Sequence, residues 1–485
     1  QSSLLVLVVG ILQEQLQLQE GEEERLLASG FFHSAVSTLL QGWLGTRLPL
    51  LQTPSPEFIV PAIVLTHRSP TCPFQFPSHL IGFFLPQLQG MVLTSGLVQF
   101  VLGASGLSGP VLQRSGPLVL APLLCVLGFS IYREAAVLCS EHWGIASLAV
   151  LLVVFLSQHL HSWPLLATVR YPVFRMVSVS PCTESHSTLG IRLPLLSTLS
   201  VAAGVAAALS SFISSLGVYV LTARLLGTSP PPPYACNRGL CAEGLGTVSA
   251  ALLGGPLGVS SSVPNACVVG LSQCGSRRSV QLAAMMSLLL GVSPRLSQLL
   301  TSFPLGVQGA VLSVTYTVAA GTGITYFRYT HMDSGRNIFN IGFAIFMSLL
   351  LPRWFNLHPS FITTGVSSLD VLLQSLITLP VFLAGFLAFF LDNTVSGSLS
   401  ERGLSSTAMK KRALDDRVAE CSQNHFKIYD PPEPVRRMLD LPGIRVVPFC
   451  ACRNQISKDV GLAAQENSDL LNGLGESHDQ DQQGA

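Results

Sequence analysis

Apolar runs of about membrane-spanning length alternate with short polar breaks along most of this chain. They lie at Leu26–Gly45, Met91–Leu107, Pro117–Tyr132, Trp143–Leu160, Leu195–Leu226, Val280–Leu300, Leu305–Phe327, Ile338–Trp354 and Val371–Leu391. A helix needs roughly 20 apolar residues to cross a hydrocarbon layer about 30 Å thick. The pattern predicts an all-α polytopic membrane protein, with Trp143 and Trp163 where interfacial aromatics belong. Ser2–Leu12 is apolar but too short to cross as a helix. It fits a remnant of a span, or the apolar part of a signal peptide that lacks its basic start. Gln13–Arg25 is polar and reads as a solvated helix, and Ser69–His79 reads as a loop.

Two stretches break the rhythm. Pro230–Arg278 begins with four prolines, becomes a small-residue apolar helix, breaks into Gly, Pro and Ser, restarts at Pro264-Asn265, and ends on Arg277-Arg278. Thr46–Leu65 is apolar but interrupted by Pro49, Pro54, Pro56 and Pro61. Unpaired backbone groups in hydrocarbon cost several kcal/mol each. Broken segments therefore persist where they line a cavity, and one in each half of a chain points to a transporter built from inverted repeats. Two surface loops rich in Pro and Gly are the plainer alternative. Counting Glu243–Gly254 as a span gives about ten continuous segments plus two interrupted ones.

Composition agrees with this pattern. The chain has 485 residues, 48% hydrophobic and 11% charged, with a mean hydropathy of +0.50. Soluble domains carry about 25% charged residues. The net charge of +1 gives no footprint for nucleic acid, and no such partner is expected. No cysteine spacing suggests zinc; Cys125, Cys267 and Cys274 read as small hydrophobes. No nucleophile–base or metal constellation is present, so an enzyme is not expected. The tail beyond Ser396 is basic first (Lys410, Lys411, Arg412, Arg436, Arg437, Arg445), then acidic and Gln-rich. By the positive-inside rule it is cytoplasmic, and its end reads as disordered.

TRLPLLQ, AVLCSEHWGI, ARLLGTSPPPP, NRGLCAEGL, SSSVPN, GSRR, DSGRNIFNIGFAIFMSLLLPRWF and LDNTVSGSLSERGL, spread over Leu26–Leu404, resemble the nucleobase–ascorbate transporters, solute carrier family 23. The resemblance is strongest to the vertebrate sodium-dependent ascorbate branch. It implies fourteen membrane segments in two inverted repeats, divided into core and gate domains. Substrate is held between two broken segments that carry short strands. It also implies a homodimer in the plasma membrane and symport of a small polar heterocycle, a nucleobase such as hypoxanthine or ascorbate. No cofactor is implied beyond Na+ as a coupling ion.

Carried over by position, the substrate carboxylate of the family falls on Ser214. One turn on, at the position of an Asp in ascorbate members, stands Val218. Pro264 and Asn265 match the ascorbate form of the second broken segment, where Cys267, Ser272 and Gln273 depart from the signature. In the first broken segment, Pro54-Ser55-Pro56-Glu57-Phe58 stands where ascorbate members read Ser-Ala-Phe-Ala-Phe. The stacking Phe is thus Pro56, and Glu57 is a new acid, read as the only one deep in an apolar stretch. An intramembrane acid marks a functional site by default. A carboxylate accepts bonds roughly twice as strong as a neutral group does. The candidate substrate-binding residues are Glu57, Phe58, Ser214, Pro264 and Asn265. Two plainer readings stand beside them: helix packing for Ser214, and a water-filled mouth for Glu57. Arg224, Arg277 and Arg278 read as interfacial anchors.

Two family elements are not found. Residues 1–25 hold neither the Gln-His pair of the first segment nor a full span, and Arg175–Leu193 holds no seventh segment. About 12 of the 14 segments remain. Losing the seventh would set the two halves in the same sense and conflict with an inverted-repeat core. The division expected is an atypical N-terminus (1–25), a first-repeat membrane region (26–160), a polar connection (161–194), a second-repeat membrane region (195–395) and a tail (396–485). A relic or splice form that acts as a membrane interaction protein without transporting is the alternative.

Overall fold

The computed structural model describes residues 2–16, 22–68, 77–155, 194–272, 275–292, 304–359, 361–398, 401–404 and 429–432. The first half runs α1 (Ser2–Leu16), α2 (Glu22–Trp43), β1 (Gln52–Pro54), α3 (Pro56–Arg68), α4 (Pro77–Ala104), α5 (Ser108–Arg114), α6 (Pro117–Phe129), α7 (Tyr132–Ser140) and α8 (Trp143–Val154). The second runs α9 (Thr198–Leu225), α10 (Pro233–Leu252), β2 (Val259–Ser261), α11 (Val263–Ser272), α12 (Arg277–Val292), α13 (Leu305–Tyr326), α14 (Gly335–Leu357), α15 (Ser367–Ile377) and α16 (Pro380–Thr394). Among the described residues, five helices are long and apolar enough to cross a membrane, and α15 with α16 makes a sixth if the bent pair is one span.

Each predicted span falls largely on helix as far as it is described; residues 156–160 and 293–300 lie outside the described residues. The run Val371–Leu391 is not straight, however. It bends by 82° between α15 and α16, because Pro380 opens a new helix and its missing N–H ends the old one. Ser2–Leu12 packs onto the rest of the fold. It forms most of α1, and Leu4, Leu5, Val8 and Leu12 are buried against the body. The predicted loop Ser69–His79, the polar connection around Arg175–Leu193 and most of the tail lie largely outside the described residues.

The helices pack in two groups. One gathers α2, α3, α4, α9, α10 and α12; the other gathers α6, α7, α8, α13, α14 and α16. Without a hydrophobic force between helices in lipid, close packing needs small residues. The run AAGVAAALSSFISSLG of α9 is almost wholly buried. Gly244 lets α10 approach α4 until an added Cβ would stand 2.6 Å from the Phe100 nitrogen. Gly128 does the same for α6 on α13, with Ala320 N at 2.5 Å. The outer faces present Leu148, Leu151, Phe346 and Phe390, as a lipid-facing surface should.

The two interrupted stretches form the same motif, a three-residue strand followed by a half-helix. β1 pairs with β2 in antiparallel register, Gln52 with Ser261, Thr53 with Ser260 and Pro54 with Val259. The ladder extends to Ser262 N–H, which donates to the Leu51 carbonyl across 3.0 Å. Antiparallel pairing means the two motifs run in opposite senses. The conflict expected from the loss of a seventh segment is therefore not seen in the ribbon, which keeps the opposed arrangement of an inverted-repeat core.

Candidate functional site

The site is built where the two half-helices leave the ribbon. Ser55 caps α3: its Oγ accepts from Glu57 N–H at 3.3 Å, and its carbonyl accepts from Phe58 N–H at 3.1 Å. Pro56 fits the first helical position because its absent N–H would have no partner there. Ser262 has the same place before α11. Its carbonyl accepts from Ala266 N–H at 3.1 Å, and its Oγ accepts from Asn265 Nδ2 at 2.8 Å. Each half-helix thus presents the positive end of its dipole at an opposite end of the ribbon.

Glu57 is buried, and its Oε1 accepts from the Ser214 hydroxyl across 2.5 Å. Ser214 therefore touches the new acid directly, and α9 and α3 meet at this bond. Two cavities share Pro56, Glu57 and Ser130 in their walls. The inner one, of about 10 Å³, is lined by Thr53, Ser55, Ser260, Ser261 and Tyr316. That is room for about one water. The outer one is a cleft of about 330 Å³ bordered by Ile59, Arg133, Glu134, Arg353 and Asn356. The Thr53 Oγ lines the inner cavity and has no hydrogen-bond partner among the described residues.

Of the other candidates, Phe58, Pro264 and Asn265 line neither of these two cavities. The Phe58 ring is fully buried against Gly258, one residue before β2. Pro264 is buried in the first turn of α11. Asn265 turns back to Ser262 rather than reaching Glu57. Val218, one turn beyond Ser214, is buried. Arg224 lies at the end of α9, where Nη2 donates to the Tyr329 hydroxyl at 2.8 Å.

Glu57 is not the only deep acid. Glu243 on α10 is completely buried. Its Oε1 accepts from Tyr219 at 2.7 Å, Ser261 at 2.5 Å and Gln52 Nε2 at 3.4 Å. Its Oε2 accepts from Ser215 at 2.6 Å and Gln99 Nε2 at 2.8 Å. A buried carboxylate is tolerable only when its lone pairs are satisfied. Here the donors come from β1, β2, α4 and α9, so one side chain ties both strands to the helices behind them. The signal was present in NRGLCAEGL, but the small apolar residues around Glu243 read as a plain span.

Where the resemblance places a polar Gln-His pair, α1 brings Leu4 to the inner cavity and Leu7 and Ile11 to the outer one. The site wall on that side is apolar. No cluster of three or more His, Cys, Asp or Glu that could hold a metal occurs among the described residues.

The profile of the permease family named Xan_ur_permease matches residues 3–357. Solute carrier family 23 member 3 of Mus musculus is 41% identical over 94% of this chain and 84% of its own length. Member 1 of the same family, from Rattus norvegicus, is 31% identical over 90% of this chain and 82% of its own. Nucleobase-ascorbate transporter 2 of Arabidopsis thaliana is 26% identical over 82% of this chain and 85% of its own. These relatives are solute carriers rather than enzymes, and they imply a small-molecule solute and a lipid bilayer as surroundings. A paired broken-helix ribbon, its buried acids and this span of similarity agree: the chain belongs to the permease family, within solute carrier family 23, and is a multi-pass membrane protein of permease type.

Proposed function

We propose that this protein carries a neutral nucleobase such as hypoxanthine across the plasma membrane, in symport with Na+, as a homodimer. The observation that carries the reading is Glu57, buried at the shared wall of the two cavities and held by Ser214. A nucleobase offers N–H donors to that carboxylate, and charge-assisted bonds of this kind are roughly twice as strong as neutral ones. Ascorbate carries no N–H for that carboxyl. Thr53 offers a further hydroxyl beside it, and Phe58, Pro264 and Asn265 are assigned places behind the lining rather than in it. The names of the relatives speak for nucleobase or ascorbate as the solute class.

In this reading solute enters by the outer cleft and reaches the ribbon when the two helix groups shift, since the inner cavity holds no more than a water as it stands. Uptake of labelled hypoxanthine, uracil, urate and ascorbate, with and without sodium and with surface labelling of the same cells, tests it. Sodium-dependent hypoxanthine uptake that falls at least tenfold in Glu57→Gln is the expected result. Normal surface abundance with no uptake of any solute would favour the non-transporting alternative.

A further inference from the structure

Tyr429 lies in the polar tail, yet it is completely buried and joins the main hydrophobic core. Its hydroxyl donates to the Ser229 carbonyl, between α9 and α10, across 2.7 Å. Its own carbonyl accepts from Arg238 Nη2, and the Asp430 carbonyl accepts from Arg47 Nη1. Arg238 also donates through Nε to the Gly45 carbonyl at 2.9 Å. Arg277 Nε donates to the Arg47 carbonyl at 2.8 Å. Three arginines thus interleave tail carbonyls with those of the chain between α2 and β1.

This arrangement is more than a tail resting on a surface. Arg238 is only 4% exposed, and a buried guanidinium needs acceptors to be tolerable. One of them comes from the tail. Arg47 has φ of 62°, the left-handed region that non-Gly residues seldom occupy. It is held there between the Arg277 and Asp430 contacts, five positions before Gln52 of β1. On the tail side, Asp430 precedes Pro431 and Pro432, and a residue before proline is biased to extended backbone. A segment stiffened in this way loses little freedom on docking.

We propose that Tyr429–Pro432 is a detachable latch. The socket made by Arg47, Ser229 and Arg238 recognises a tyrosine followed by an extended Asp-Pro-Pro segment of this same chain, and its occupancy fixes the lead-in to β1. Because that lead-in feeds the ribbon, the tail holds one wall of the site from a distance. The inference concerns binding within the chain and does not depend on which solute is carried.

The test uses the full chain in lipid nanodiscs, as wild type, Tyr429→Ala and Tyr429→Phe, with a labelled peptide of residues 425–436 as probe. Tyr429→Ala vacates the socket, so it should bind the peptide at least tenfold more tightly than wild type, whose socket is filled. A peptide carrying Tyr429→Ala should not bind. Hydrogen exchange at residues 46–51 should rise at least fivefold in Tyr429→Ala and fall again with peptide. Tyr429→Phe keeps the ring but lacks the Ser229 bond, and it should fall between the two in both readouts. It serves alone if the alanine variant does not stay monodisperse. Equal peptide binding by wild type and variants, or exchange at 46–51 indifferent to both substitutions, would overturn the proposal.

Discussion

The Ser214 hydroxyl donates to Glu57 Oε1 across 2.5 Å, joining residues 157 positions apart. The position on α9 where the resemblance implies a substrate carboxylate is a serine that contacts an acid. The acid that Ser214 contacts lies on the facing half-helix α3. Removing the hydroxyl while keeping the acid should weaken the site without abolishing it. A hydrogen bond to a charged group contributes about 1.5 kcal/mol or more, which is about tenfold in affinity. Ser214→Ala is expected to raise the apparent KM for the transported solute by about that factor at unchanged surface abundance. An unchanged KM would leave Ser214 as packing only.

Glu243 should behave differently, as a structural pin. Glu243→Gln replaces one acceptor oxygen by an NH2 that faces other donors. Leaving buried donors unpaired costs about 1–3 kcal/mol each. A fall of several degrees in the thermal unfolding midpoint in detergent is expected, larger than for Gln99→Ala. Equal midpoints for Glu243→Gln and wild type would remove this role.

Gly258 stands against the Phe58 ring, where an added Cβ would lie 2.1 Å from Cε1. The ring is enclosed and cannot swing aside. Gly258→Ala should therefore destabilise by about 1–3 kcal/mol, the usual cost of overpacking. Phe58→Leu in the same chain should recover part of it. A double-mutant cycle in unfolding midpoint reads the coupling, and additive effects would contradict the contact.

Asp392 at the end of α16 pairs with Arg336 and Arg402, each at 3.0 Å, and is 1% exposed. Breaking a buried pair leaves an uncompensated charge and costs about 3–5 kcal/mol. Asp392→Asn should lower surface expression and thermal stability together. Normal expression and stability would show the pair to be dispensable.

Glu401 accepts from the Ser398 N–H and hydroxyl, and its carboxyl is held below its ordinary 4.5 by these bonds, with smaller help from Ser334 and the Arg336 charge. A carboxyl depressed by folding adds stability above its unfolded value, and that contribution fades as pH falls through the folded value. Protection from exchange at residues 396–404, corrected for the intrinsic pH dependence of amide exchange, is expected to hold above pH 4.5 and to fall below it. Loss of that protection beginning well above pH 4.5 would contradict the assignment.

How far the sequence could be read depended on the range of the interaction involved. The broken segments were legible because Pro54, Pro56 and Pro264 leave a local mark on an apolar run. Glu57 was legible because an acid among prolines and aliphatics stands out. Glu243 was not, since its meaning lies in Tyr219, Ser261 and Gln52, which only folding brings together. The bend at Pro380 was masked by unbroken apolarity across it. Tyr429 carried no signal at all, because a polar tail gives no reason to expect a buried ring. The place of α1 was hidden for a related reason: its leucines read as a fragment of a span, and nothing local says they would line the site.

The ribbon also has a consequence in time. Gln52 and Ser261 are 209 positions apart, so the strand that precedes α3 has no partner until more than half the chain has been made. Closing so long a loop carries an entropic cost that only native contacts repay, and non-local pairings of this kind form late. The binding region must then be among the last parts to assemble, after the helices around it have already been inserted. Until β2 arrives, β1 would present unpaired backbone within the forming protein, and a nascent chain halted before Val259 would expose that edge to quality control.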